Sequence, residues 1–174
     1  PLYEGLPTLE KHRNMRPLEA YLELVQDCGV DKVLIGDISA SLESMQEVAS
    51  ASRGIIPLRY KSFITDKEVL KVVEQVHTNR LDPARDVIRS VESREGNRVV
   101  LQPMHTIVRK KGSITIDNEL YGRYAGEMQV AVHDLPVDEK VNVVGMVVEE
   151  DISLLPYVGA GKMFQLFLCD RIKA

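Results

Sequence analysis

Part-way along this chain the hydrophobic spacing changes character, and that change limits the available folds more than any other feature. Toward the N-terminus, Pro17 is followed by Leu18, Leu22 and Val25 up to Gly29. This is the spacing of one helical face, with a proline tolerated in the first turn and a glycine at the end. Residues 32–37 (KVLIGD) then read as a short apolar strand closing in a polar turn, and Ser41 as the cap of a helix through Met45 and Val48 that stops near Gly54. Helix, buried strand, helix is the pattern of a parallel sheet. Residues 55–60 read as the next strand, and residues 65–68 (TDKE) as a capping box opening a helix through Val76.

From about Arg80 the pattern is one of short strands and turns, over residues 98–102, 105–109, 113–117, 127–133, 141–149 and 163–170. Lys110, Lys111 and Gly112 suit a hairpin, and residues 152–158 a short helix before Gly159 and Gly161. Such a series predicts a small barrel or sandwich. The change of pattern puts a domain boundary between Gly54 and Lys61, drawn here as 1–57 and 58–174. One or two βα units cannot close a parallel barrel, which takes eight, so the chain is expected to be a piece of a longer protein.

Composition removes several classes of function. A content of 44% hydrophobic and 28% charged residues is that of a folded globular chain. A net charge of −4 lacks the basic surplus of a nucleic-acid binder. The longest apolar run, residues 141–148, is far short of the roughly 20 residues that span a bilayer, so no membrane association is expected. Cys28 and Cys169 are too few for a disulfide framework, and with His77, His105 and His133 isolated no metal site is expected. A reducing, cytoplasmic location follows as the expectation.

Two segments carry candidate chemistry. In residues 3–13 (YEGLPTLEKHR), Glu4, Glu10, His12 and Arg13 crowd into one loop. Carboxylates there could act as acid or base and Arg13 could clamp an anion, or the charges are the solvated first turn of a helix capped by Thr8. Asp37, at the end of the expected parallel strand, is either a functional group or an ordinary turn residue. Residues 115–127 (TIDNELYGRYAGE) bring two tyrosines, an arginine and an Asp–Asn pair together between strands. They suit an anion clamp beside aromatic faces that fit a sugar ring, or a glycine-rich connection whose tyrosines pack on the core. Residues 159–162 (GAGK) lack the spacing of a phosphate loop.

These same blocks carry a family resemblance. Residues 4–13 (EGLPTLEKHR), 34–37 (LIGD), 115–118 (TIDN) with 121–124 (YGRY), and 134–136 (DLP) with 141–145 (VNVVG) resemble, in order over nearly the whole chain, a bacterial two-domain family. That family includes the 6-phospho-N-acetylmuramidases of peptidoglycan recycling. The resemblance implies an α/β plus β architecture: the last βα segments of a TIM barrel followed by a small cyclophilin-like antiparallel β-barrel. It also implies hydrolysis of the β-1,4 bond of MurNAc-6-phosphate–GlcNAc disaccharides, with a phosphorylated sugar as the small-molecule partner and no cofactor. On that reading Glu4, Glu10 and Asp37 are the candidate catalytic carboxyl groups. His12 and Arg13, with Asn118, Tyr121 and Arg123 from the second domain, would hold substrate. The reading from a different class is a non-catalytic β-barrel that binds a ligand or partner. A prolyl isomerase ranks below both, because a cyclophilin-like topology does not carry that enzyme's function with it.

Overall fold

In the computed structural model, which describes residues 7–36, 40–95 and 99–169, the chain parts at Gly54 into two units, Pro1–Gly54 and Ile55–Ala174. In the first unit a 3-10 turn (Glu10–Asn14) leads into α1 (Pro17–Leu22), a π-helical turn (Glu23–Asp27) and α2 (Leu42–Ser52). Pro17 stands in the first turn, where its missing N–H is no loss. Leu18, Leu22 and Leu24 are buried from the α1 side, and Gly29 takes φ 66, the left-handed conformation that ends a helix. The Ser41 hydroxyl accepts from Ser44 N at 3.0 Å, as the sequence predicts for the start of α2.

The strand expected over residues 32–37 does not form. Residues 32–36 have no ladder partner among the described residues, and Leu34 is 77% exposed. Asp37 lies outside the described residues. An all-apolar strand is stable when both faces and both edges are covered, and no strand of this unit's described residues offers an edge.

In the second unit, β1 (Ile55–Ser62), α3 (Lys67–Glu74), β2 (Val76–Thr78), β3 (Val87–Arg89), α4 (Glu92–Glu95), β4 (Ser113–Asp117), β5 (Met128–Ala131), β6 (Val141–Val147) and β7 (Met163–Leu168) follow in turn. They are joined by 3-10 turns at Glu119–Tyr124 and Glu149–Tyr157. The described strands make one sheet in the order β2-β7-β1-β6-β4-β5-β3. Its two outer strands meet just beyond their ends through an Asn79–Ser90 bridge, with Val91 N donating to Thr78 O at 3.0 Å and Arg80 N to Arg89 O at 3.1 Å. The sheet is thus nearly closed into a small barrel, which leaves little open edge.

Alternation selects the core. Ile56, Leu58 and Tyr60 of β1, Ile114 and Ile116 of β4, Met128 and Val130 of β5, and Phe164 and Leu166 of β7 are buried. Pro57 precedes the stretch Tyr60–Ser62 that pairs with β6, so it falls where β1 has a ladder partner on one side. At Gly145 a Cβ would stand 2.8 Å from the Lys61 carbonyl oxygen, so β6 needs a glycine to approach β1 this closely. His77 is fully buried, stacked on Phe164 at 5.2 Å, with Nε2 3.1 Å from the Val73 carbonyl and Nδ1 2.8 Å from the Ser90 hydroxyl. The carbonyl must accept, so Nε2 carries the hydrogen. Burial holds the imidazole below its usual pKa, and His77 serves as a neutral core residue.

Several sequence expectations need correction here. The second unit begins at Ile55, just before the boundary drawn at 57/58, and its sheet is not wholly antiparallel, since β1 and β7 run parallel from Ile55–Met163 to Tyr60–Leu168. Those two strands lie at opposite ends of the unit, so the intervening chain serves as the crossover that a parallel pair requires. Residues 99–102 form no strand, and of the expected strand over 105–109 there remains a single bridge from Arg109 to Leu135. Ile107 and Val108 are exposed there, so no apolar face was available to hold a strand. Residues 149–157 wind as a 3-10 turn around Pro156, anchored by the buried Asp151, which accepts from Arg59 N and Arg59 Nη2, both at 2.7 Å.

Candidate functional site

In the first unit the charged loop largely satisfies itself. The 3-10 turn puts Glu10 and Arg13 on one side, and the guanidinium forks onto the carboxylate, Nε to Oε1 at 2.6 Å and Nη2 to Oε2 at 3.0 Å. The hydrogen bond and charge of Arg13 hold the Glu10 carboxyl below its usual range, which suits a base or nucleophile and not a proton donor. His12 turns inward, its Nε2 3.2 Å from Oε2 of the buried Glu23. The other Glu23 oxygen pairs with Lys11, and these contacts, Lys11 foremost, hold the Glu23 carboxyl low. A hollow of about 450 Å³ is lined by Thr8, His12, Arg13, Tyr21, Ile35 and Ser44, among others. His12 and Arg13 therefore share one cavity, while Glu10 faces solvent beside Arg13. Glu4 and Asp37 lie outside the described residues.

The second unit presents a polar site on the sheet face opposite the core. Arg89 of β3 stands across from Gln129 of β5, and Gln129 across from Thr115 of β4. One step along, Asp117 N donates to Glu127 O at 3.0 Å, so the two acids are neighbours. Asp117 is 2% exposed and Glu127 7%. Burial first, then the nearby Glu127 and Asp138 carboxylates, push the Asp117 carboxyl up to about 7 against the pull of Arg109. Arg94 Nε lies 3.4 Å from Glu127 Oε1.

The 3-10 turn after β4 supplies an aromatic wall. Gly122, at φ 60 and ψ −117, allows a kink closed to side-chain-bearing residues. Tyr121 and Tyr124 consequently meet edge to face at 6.0 Å. Arg94 and Arg123 lie 5.6 and 4.7 Å from the Tyr124 ring centre. The two tyrosines and Arg94, with Arg80, Arg89, Asp117, Glu127 and Gln129, border a recess of about 430 Å³.

Tyr121, a candidate substrate contact from the sequence, is among the residues that line this recess. Arg123 is exposed and donates to the Tyr124 hydroxyl at 2.5 Å instead of lining the recess. Asn118 is fully buried, its amide nitrogen donating to Glu139 O at 2.8 Å and Asn142 Oδ1 at 2.9 Å and its oxygen accepting from Leu120 N at 3.1 Å. It caps the turn that carries Tyr121. Sequence reasoning did not single out Asp117, Tyr124 and Glu127 within their unusual segment, and missed Arg80, Arg89, Arg94 and Gln129 altogether. Among the described residues, no cluster of three or more His, Cys, Asp or Glu could hold a metal, and no helix is long and apolar enough to cross a membrane.

Residues 55–167 match the family model of the 6-phospho-N-acetylmuramidase C-terminal domain, and residues 1–50 that of the N-terminal domain. The chain belongs to the 6-phospho-N-acetylmuramidase family. Two solved structures are similar to this family member. One is a conserved protein of unknown function from Enterococcus faecalis, 40% identical, with a TM-score of 0.80 over 99% of this chain and 47% of that one. The other is an uncharacterized B. cereus protein, 30% identical, with a TM-score of 0.72 over 92% of this chain and 47% of that one. The chain thus spans about half the length of each. No curated protein matches it.

Proposed function

We propose that this chain is the C-terminal part of a cytoplasmic glycosidase that hydrolyses MurNAc-6-phosphate–GlcNAc disaccharides. In this reading the first unit is the last βα portion of a TIM barrel and the second a cyclophilin-like domain. The observation that carries it is the pair of family matches, in order, over both units. Glu4, Glu10 and Asp37 are the candidate carboxyl groups, set across the scissile bond with about 5 Å between a pair for retention or more for inversion. Glu10, kept ionised by Arg13, suits the base or nucleophile of that pair. His12 and Arg13 on the first unit, and Tyr121 and Arg123 on the second, are assigned to the substrate, with Asn118 holding the turn that presents Tyr121.

The test is turnover by a longer chain that includes the remaining barrel strands. It should release sugar from the 6-phosphorylated disaccharide and act much more slowly on the unphosphorylated one, because a charged hydrogen bond to the phosphate contributes roughly 1.5–3 kcal/mol. Equal rates would remove the phosphate argument. No turnover of either would favour the binding-module reading, which the polar recess of the second unit independently supports.

A further inference from the structure

Glu23 is a buried acid of the first unit to which the proposed reaction gives no part. It opens the π turn Glu23–Asp27, in which Cys28 N reaches back to the Glu23 carbonyl at 3.0 Å. Single π turns are rare in helices and recur at functional positions. The Glu23 carboxylate is committed on both oxygens: one pairs with Lys11, and the other lies 3.2 Å from Nε2 of His12. The Lys11 hydrogen bond, joined by that of His12, outweighs burial and holds the carboxyl below its usual range, so it stays ionised and only accepts. The hydrogen on that side of the imidazole therefore sits on Nε2, and in the neutral ring Nδ1 is bare. Among the described residues Nδ1 has no hydrogen bond, and it keeps some accessible surface. His12 borders the hollow of about 450 Å³ together with Arg13, Tyr21 and Ser44.

We propose that Glu23 is a positioning residue: it fixes His12 as the Nε2–H tautomer, so that Nδ1 accepts a hydrogen bond from a hydroxyl or amide N–H of the substrate. The inference rests on the reading in which His12 contacts the sugar; the tautomer itself rests on the Glu23 geometry. A bare Nδ1 stands against phosphate oxygens, which also accept, so His12 selects a neutral donor and not the phosphate.

The experiment uses the longer chain that includes the remaining barrel strands. NMR shifts of the His12 ring nitrogens, assigned with His12→Gln, are read at about pH 8.5, where an unperturbed imidazole is neutral. They should show hydrogen on Nε2 in the parent and in Glu23→Gln, whose amide oxygen still accepts, and a mixture of tautomers in Glu23→Met. With the 6-phosphorylated disaccharide, Glu23→Met should raise KM by about three- to tenfold at nearly unchanged kcat, and Glu23→Gln should restore the parent value. Lys11→Met removes the other partner of Glu23 and should leave tautomer and KM as in the parent, whereas a purely structural ion pair would be lost in it equally. Hydrogen on Nδ1 in the parent, a Glu23→Met variant that keeps the parent's tautomer and KM, or an equal rise of KM in Lys11→Met would each overturn the proposal. The tautomer is read without turnover, so a failure of this pairing and a failure of glycoside cleavage register separately.

Discussion

Residues 32–36 of the first unit and the strands of the second illustrate two fates of apolar sequence. The former hold a continuous Val–Leu–Ile run, yet form no ladder, with Leu34 and Ile35 largely exposed. The latter, from Ile55 to Leu168, include alternating stretches such as Ser113–Asp117 and wrap round into a nearly closed sheet. An alternating strand needs one covered face and can find it within its own unit, whereas an all-apolar strand needs covering on every side. Strand propensity is thus a request for neighbours.

The sharpest way to break this contrast is to truncate one apolar side chain in each region. Phe164→Ala, in the barrel core against His77, should cost about 3–5 kcal/mol in denaturant unfolding of the second unit, whereas Leu34→Ala should change stability by under about 0.5 kcal/mol. Comparable losses would mean that residues 32–36 are buried as firmly as the core.

A second test uses the acids of the polar sheet face. Unfolded, Asp117 loses its proton near 3.8; folded, it keeps it up to about 7. Between those values the folded state binds more protons, so stability should fall as pH rises through this window and level off above it, by an amount on the order of a few kcal/mol. Asp117→Asn should flatten that slope in urea melts taken from pH 4 to 8. The first unit offers the opposite sign: Glu10 and Glu23 are held low, so their contribution is lost on acidification. An unchanged slope in the variant would assign the pH dependence to other groups.

The smallest effects are those of the helix caps. Asp66 accepts from Glu68 N at 2.8 Å and from Val69 N at 3.3 Å at the start of α3, as Ser41 does from Ser44 at the start of α2. Asp66→Ala and Ser41→Ala should each cost about 1 kcal/mol. Hydrogen exchange should register the first loss in the amides of the second unit and the second loss in α2. Loss of protection across both units from either change would contradict their division at Gly54.

Local signals were legible wherever one element could satisfy itself. Ser41 caps α2 as expected, Pro17 opens α1, and residues 113–117 form the strand their alternation predicts, while α3 is capped by Asp66 instead of Thr65 and ends at Glu74, short of Val76. The candidate site was legible in part. Tyr121 faces a cavity, and Asp117, Tyr124 and Glu127 sit in the segment whose composition already looked unusual. Arg80, Arg89 and Arg94 carried no signal, because each is an ordinary charged residue until the closing of β2 onto β3 and the pairing of β3 with β5 bring them to one recess.

By itself, the amino-acid sequence determined where helices start, which strands alternate, and the pattern of blocks that places the chain in its family. The tertiary structure decided that β1 and β7 run parallel, that Asn118 is consumed inside a turn, and that Asp117 and Glu127 lie side by side, with the charge of Asp117 opposed by burial. The physical reason is range. Caps and alternation act over a few residues, whereas a ladder between Ile55 and Met163, or a carboxyl pushed up to about 7, depends on groups that the chain brings together when the barrel closes.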